Sequence, residues 1–327
     1  MVMSKKLKES LKKQHYGLVG GHSAVQICRW TKKDLLDEGE CYKAKFYGIS
    51  SLGCCQMSPS AVFCQNKCVH CWRAIELTDG DSMKNMKIDN PEEIINECIR
   101  AQRKLLTGFK GNKKINMKKF ERAQEPMQFA ISLTGEPTLY PKLGELIGLL
   151  RLKGKTSFVV TNGLQTSVLK KLSKDGNLPT QLYISLNSPN EKLFDKWHRS
   201  SVKDSWEKFN ESLKLFKDLK CRRVIRMTLV RDLNMSSEMI EDYVKLIRKT
   251  NCDFVEVKGF MSVGFARNRR GMGYDVMPNF KEIKDYAEEI VIGLKKEGYK
   301  ILDEHEHSRV VLIGKDRKRM KIVKREI

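Results

Sequence analysis

The sequence predicts an α/β fold in which six short strands alternate with helices. From residue 127 onward, apolar runs of four to seven residues alternate with segments whose apolar positions recur every three or four residues, the pattern of parallel βαβ units. A further apolar run at 61–63 raises the count to six units, too few for a closed eight-fold barrel. With 327 residues, 40% of them hydrophobic, the chain can bury a core around such a sheet.

In chain order, residues 4–15 are lysine-rich with a few apolar positions and predict an exposed, fraying helix. Cys28, Cys41 and Cys54 follow, separated by the same twelve intervening residues. The even spacing suggests a metal site, although ordinary buried cysteines would give the same pattern. Residues 42–47, Tyr-Lys-Ala-Lys-Phe-Tyr, alternate polar and apolar, so they predict a strand with Lys43 and Lys45 on one face. A lysine in a poorly hydrated pocket has a lowered pKa, and its neutral amine attacks carbonyls, which makes either lysine a candidate nucleophile. The run 61–63 is read as a strand leading directly into Cys64-Gln-Asn-Lys-Cys68-Val-His-Cys71.

Pro91 suits the first turn of an amphipathic helix with apolar positions Ile94, Ile95, Cys98, Ile99 and Leu105. Residues 100–122 are the densest basic stretch, with Lys110, Lys113, Lys114, Lys118 and Lys119 among its cations, and form a candidate phosphate-binding surface. The later strands are expected at 129–133, 157–160, 182–186, 224–230 and 254–257. Helices are expected to end at 152, 172, 215 and 249. Thr134-Gly135-Glu136-Pro137 closes the second strand, Thr161-Asn162-Gly163 the third and Ser185-Leu186-Asn187 the fourth. Arg226 on the fifth strand and Lys258 just after the sixth are candidates to face the cavity and touch substrate, the alternative being that each satisfies a local carboxylate. A glycine-rich loop, 258–270, carries Arg267, Arg269 and Arg270 as candidate phosphate ligands. A long helix at 279–297, strands at 299–302 and 310–313 joined by the turn Asp303-Glu-His-Glu-His-Ser308, and a basic tail at 315–325 complete the chain. The boundaries are an N-terminal extension 1–57, a central unit 58–270 and a C-terminal segment 271–327.

Three thiolates in one compact loop leave a coordination position open, whereas a structural zinc site usually takes four protein ligands. A zinc site completed by His70 or Cys55 is the plainer alternative. The C-x3-C-x2-C loop resembles that of the radical S-adenosylmethionine (SAM) superfamily. The resemblance implies a [4Fe-4S] cluster on Cys64, Cys68 and Cys71 with SAM on its fourth iron, and a partial (β/α)6 TIM-like barrel whose open side admits a large substrate. It further implies SAM contacts at Gly135, Glu136, Thr161, Asn162, Ser185 and Asn187. The evenly spaced Cys28, Cys41 and Cys54 and the Cys41-Tyr-Lys43 tripeptide narrow the resemblance, over nearly the whole chain, to the tRNA 4-demethylwyosine synthases. That family implies a second [4Fe-4S] cluster on these three cysteines and pyruvate as a substrate held by that cluster, with Lys43 as the Schiff-base lysine. It also implies N1-methylguanosine-37 of tRNA-Phe as the base on which a third ring is closed. With no room for an appended flavodoxin domain, the chain is expected to take electrons from an external donor such as a ferredoxin or flavodoxin. The alternatives are another radical SAM enzyme acting on RNA, either a methylthiotransferase or a methylase accepting methyl on Cys221 or Cys252, and a zinc-dependent RNA-binding protein.

Composition agrees with a nucleic-acid partner. Lysine and arginine exceed aspartate and glutamate by 62 to 40, giving a formal charge of +22, which favours a polyanion. No apolar run approaches the length of a membrane span, and the N-terminus lacks the apolar stretch of a signal peptide. A cytoplasmic monomer is expected, and its ten cysteines are read as metal ligands and free thiols rather than disulfides.

Overall fold

The computed structural model describes residues 3–78, 80–323 and 326, so Lys324 and Arg325 of the basic tail lie outside it. The chain opens with α1 (Lys5–Lys13), capped by Ser4. This helix is seated rather than exposed, because Leu7 and Leu11 are buried in the main core. The hairpin β1 (Gly17–Val19) and β2 (Ser23–Gln26) follows, then α2 (Arg29–Leu35) and α3 (Tyr42–Tyr47). Six strands come next: β3 (Cys54–Ser58), β4 (Gln128–Ile131), β5 (Thr156–Thr161), β6 (Gln181–Ser185), β7 (Arg222–Leu229) and β8 (Phe254–Gly259). Each pairs in parallel with the next. Between them run α4 (Pro91–Thr107), α5 (Met117–Arg122), α6 (Leu143–Leu152), α7 (Thr166–Lys174), α8 (Glu191–His198), α9 (Ser205–Phe216) and α10 (Ile240–Thr250). The chain closes with α11 (Phe280–Gly293) and the antiparallel pair β9 (Lys300–His305) and β10 (Val310–Gly314).

The sheet order is β1-β2-β3-β4-β5-β6-β7-β8-β10-β9. Its middle is the six-stranded parallel half-barrel expected, and antiparallel hairpins extend both edges. Strand alternation gives each face its own core. Met57, Phe129, Ile131, Val159, Leu182, Ile184, Ile225 and Val255 join the cluster under the helices. Their neighbours Phe158, Tyr183, Val224 and Phe254 turn the other way and pack against Tyr42, Phe46 and Tyr47 of α3. Thus α3 lies against the concave face, where a barrel of this kind keeps its chemistry.

Two local expectations need correction. Residues 42–47 are a helix, not a strand. Cys41 caps its start and Gly48, at φ +75°, ends it in the left-handed region. The apparent alternation is in fact a helical stripe, with Tyr42, Phe46 and Tyr47 all buried on the sheet. The strand before the cysteine loop is Cys54–Ser58, and residues 61–63 are a buried connection in which Phe63 bridges Gly80. Their apolar character marks burial in the main core, not a strand.

Candidate active site

The loop from Cys64 to Cys71 is held from three sides. Lys67 N–H donates to His198 O at 2.9 Å and Val69 N–H to Trp197 O at 3.0 Å, so the end of α8 anchors its middle. Arg269 donates to the carbonyls of Val69, Cys71 and Arg73 and pairs with Glu76 at 3.0 Å. Its guanidinium therefore straps the loop and is not a free phosphate ligand. Trp72 donates from Nε1 to Leu133 O at 3.1 Å, and its own carbonyl accepts from Phe265 N–H. Two nitrogens lie beside sulfur: Asn66 N–H donates to Cys64 Sγ at 3.4 Å, and His198 Nδ1 lies 3.2 Å from Cys68 Sγ.

The donor set fits an iron–sulfur cluster. All ten cysteines are free thiols. Burial pushes the Cys64 thiol up to about 11, against the pull of Arg73, and the Cys68 thiol well above its usual value. Buried thiolates need a cationic partner, which an iron–sulfur cluster supplies. Of the twelve buried side-chain polar atoms that lack a hydrogen-bond partner among the described residues, eight belong to Gln65, Asn66, His70, Arg73, Trp197 and His198. Such a concentration marks a place built for a bound group. Among the described residues no three His, Cys, Asp or Glu converge as a single-ion site would require.

Gly135 and Glu136 are wedged against this loop. Gly135 has φ +72°, and a Cβ there would lie 1.9 Å from Ser60 O and 2.8 Å from Phe63 O. Glu136 is buried: its N–H donates to Phe63 O and its carbonyl accepts from Ser60 Oγ, both at 2.7 Å. Its carboxylate accepts from Thr161 Oγ1 and Asn162 N–H, again at 2.7 Å, and from both Thr138 donors. Burial raises the Glu136 pKa, and these hydrogen bonds oppose the rise. Asn162 Nδ2 donates to Gln65 Oε1 at 3.2 Å. Gly135, Glu136, Thr161 and Asn162 thus form one unit with the cysteine loop. Asn187 does not join it: buried, it accepts the Thr228 N–H on Oδ1 and braces β6 against β7, while half-buried Ser185 stands opposite Arg226.

Cys28, Cys41 and Cys54 lie close enough to act on one another electrostatically, beside the α3 helix that packs on the sheet. Cys28 caps α2, Cys41 caps α3 and Cys54 begins β3, so their equal spacing follows from three successive element starts. Burial first, then Cys28, raises the Cys41 thiol to about 12 and pushes Cys54 up likewise, while Lys43 pulls both down. Lys43 is buried, with Nζ 5.1 Å from the ring centroids of both Phe158 and Tyr183. Burial and then Arg226 lower its pKa, opposed by Glu256 and the two thiols. Lys258 is similar: burial and Arg226 bring it down to about 8, and its Nζ donates to Ser308 O at 2.9 Å. Lys45, two residues from Lys43, points elsewhere and pairs with Asp303 at 2.9 Å. On a helix, two residues span about 200°, so Lys45 faces away from the side of α3 that carries Lys43.

Beneath Lys43 lies a polar network that sequence reasoning missed except for Arg226. Glu256, fully buried, pairs with Arg226 at 2.9 Å and accepts from the hydroxyls of Tyr42 and Tyr47. Arg226 lies 4.4 Å from the Tyr183 ring centroid and donates to Tyr42 Oη. One signal was present, since Arg226 and Glu256 are each flanked on both sides by apolar residues within their strands, and they stand opposite each other in register. His198 and Arg73 carried no such signal, because only the fold brings them to the loop.

The half-barrel and its cysteine loop define a radical SAM protein, and the family model described as the Radical SAM superfamily matches residues 58–247. A second model, Wyosine base formation, matches 249–315. The S-adenosyl-L-methionine-dependent tRNA 4-demethylwyosine synthase of Pyrococcus abyssi is 45% identical over 96% of this chain and 90% of its own length. That of Methanocaldococcus jannaschii is 36% identical over 95% and 96%. A solved structure of TYW1 with a lysine-pyruvate adduct bound superposes with TM-score 0.83 at 34% identity, covering 99% of both chains. Archaeal TYW1 gives 0.75 at 32% identity, with the same coverage. The chain belongs to the tRNA 4-demethylwyosine synthase family.

Proposed function

We infer that this protein is a SAM-dependent tRNA 4-demethylwyosine synthase, which joins carbons of pyruvate to N1-methylguanosine-37 of tRNA-Phe and closes a third ring. One observation carries the reading: a buried lysine amine, Lys43, stands beside Cys41 and Cys54 with the rings of Phe158 and Tyr183 next to it. A relative of the same fold has been solved with a lysine-pyruvate adduct.

In this reading Cys64, Cys68 and Cys71 hold one [4Fe-4S] cluster, and Cys28, Cys41 and Cys54 a second. Gly135, Glu136, Thr161, Asn162, Ser185 and Asn187 surround SAM. Bound cluster and SAM supply hydrogen-atom abstraction from the substrate methyl group. Residues of the chain do the rest. Burial and Arg226 favour a neutral Lys43 amine, whose nitrogen attacks the keto carbon of pyruvate; loss of water leaves an imine, and uptake of one proton from solvent makes it an iminium. Phe158 and Tyr183 face that nitrogen, and their ring faces favour the cationic form. The target base, in an anticodon loop, can be unstacked without melting a duplex. Segments 1–57 and 271–327 serve as extensions of the 58–270 unit, and the enzyme acts as a cytoplasmic monomer with an external electron donor. Among the described residues no helix is long and apolar enough to cross a membrane.

The methylase alternative loses its support in the positions of Cys221 and Cys252. They precede β7 and β8, at the end of the sheet opposite the loop that follows β3. The deciding experiment is anaerobic incubation with reductant, SAM, pyruvate and tRNA carrying N1-methylguanosine, with nucleoside mass analysis. A parallel borohydride trap uses labelled pyruvate. The tricyclic nucleoside and label on Lys43 are expected; label on another lysine, or a methylated or thiomethylated base, overturns the reading.

A further inference from the structure

The end of α8 does more than anchor the cysteine loop. His198 is the last residue of that helix, is buried, and lies with Nδ1 3.2 Å from Cys68 Sγ. Its ring is fixed by Phe194, with centroids 4.4 Å apart, and its carbonyl holds Lys67 N–H at 2.9 Å. The other ring nitrogen, Nε2, has no partner among the described residues. A thiol could donate to Nδ1, but a sulfur bound to iron carries no proton and only accepts, which requires the proton on Nδ1. Other groups also act on Cys64: Asn66 donates its backbone N–H, Arg73 acts through its charge and a side-chain hydrogen bond, and Asn162 Nδ2 lies 4.0 Å from the sulfur. His198 is the one neutral side chain that places a ring nitrogen within 3.5 Å of a loop sulfur among the described residues.

We propose that His198 sets the reduction potential of the SAM-cleaving cluster, donating an Nδ1–H hydrogen bond to the sulfur of Cys68. This rests on the assignment of the cluster to Cys64, Cys68 and Cys71. A hydrogen bond to a ligating sulfur withdraws charge from the cluster and favours its reduced, more negative state. The potential therefore moves upward, towards what a biological donor can deliver. His198 is a positioning and tuning residue that acts through the sulfur of Cys68.

The test is an anaerobic redox titration of the reconstituted full-length protein, followed by electron paramagnetic resonance of the signal that responds to SAM. His198→Phe keeps an aromatic ring but no donor. Its midpoint potential is expected to be more negative than that of the unsubstituted protein, and His198→Asn, which restores an N–H near the same place, is expected to recover part of the shift. A midpoint unchanged in His198→Phe overturns the proposal. A second measurement needs no substitution. In protein labelled with 15N-histidine, pulsed resonance should detect a weakly coupled histidine nitrogen on the SAM-responsive signal, and its absence overturns the proposal even if His198→Phe cannot hold a cluster. Absence of any SAM-responsive iron–sulfur signal in the unsubstituted protein would instead overturn the cluster assignment itself.

Discussion

At Gly135 a methyl group decides whether the loop and the second strand can meet. An added Cβ would lie 1.9 Å from Ser60 O, a backbone atom with no flexible end to swing away, and φ is +72°. The left-handed conformation alone costs about 1–2 kcal/mol for an L-residue, and displacing two carbonyls adds to it. Gly135→Ala is therefore expected to lower thermal stability and to loosen iron at the neighbouring loop; a variant with unchanged melting and iron content would refute this. His22 makes a prediction about pH. Buried, it meets Pro59 O through Nδ1 and accepts Asp89 N–H on Nε2, and burial lowers its pKa from 6.5. A folded pKa below the unfolded one means that the unfolded chain takes the proton first. Stability is thus full above about pH 6.5 and falls as pH drops towards the lowered value. The melting temperature should fall less between pH 7 and 5.5 in His22→Gln than in the unsubstituted protein, and equal slopes would show that other groups dominate.

Among the elements, α3 shows what the sequence made legible and what it did not. The cysteine loop and the five later parallel strands were readable, because spacing and apolar runs are local properties of the chain, whereas the first strand was displaced to the buried connection 61–63. The helical state of 42–47 was not readable. Six residues cannot separate period 2 from period 3.6 when tertiary packing of Tyr42, Phe46 and Tyr47 makes the decision. The same packing turns Lys43 inward and Lys45 outward. Beneath it, the buried Arg226–Glu256 pair supports α3 through two tyrosine hydroxyls. Arg226→Met strands a buried carboxylate, which costs about 3–5 kcal/mol. Denaturant unfolding should register that loss, and pairing the change with Glu256→Leu should recover much of it. No recovery would mean that the pair stabilises the fold beyond compensating its own burial.

Across the whole molecule the excess of positive charge is unevenly free. Within the basic stretch, Arg103 pairs with Glu125, Lys119 with Asp34 and Asp37, and Arg100 with Glu97. Lys110, Lys113, Lys114 and Lys118 are exposed or half-buried and carry no ion pair among the described residues. They occupy the connection between α4 and α5 and the start of α5, which is tied to α2 by Asn116 N–H donating to Leu35 O at 2.9 Å. Cys28 caps that same α2, so these free lysines lie on the side of the half-barrel where Cys28, Cys41 and Cys54 gather. Each phosphate that is no longer neutralised should reduce the dependence of log affinity on log salt by about 0.7–0.9. Replacing the four lysines by glutamine is expected to flatten the salt dependence of tRNA binding. Arg103→Gln with Lys119→Gln should leave it nearly unchanged, because those cations are already neutralised. Arg269→Gln should also leave the slope alone while releasing the cysteine loop, since its donors go to Val69, Cys71 and Arg73 carbonyls. An unaltered slope in the four-lysine variant would move the tRNA to another face of the molecule.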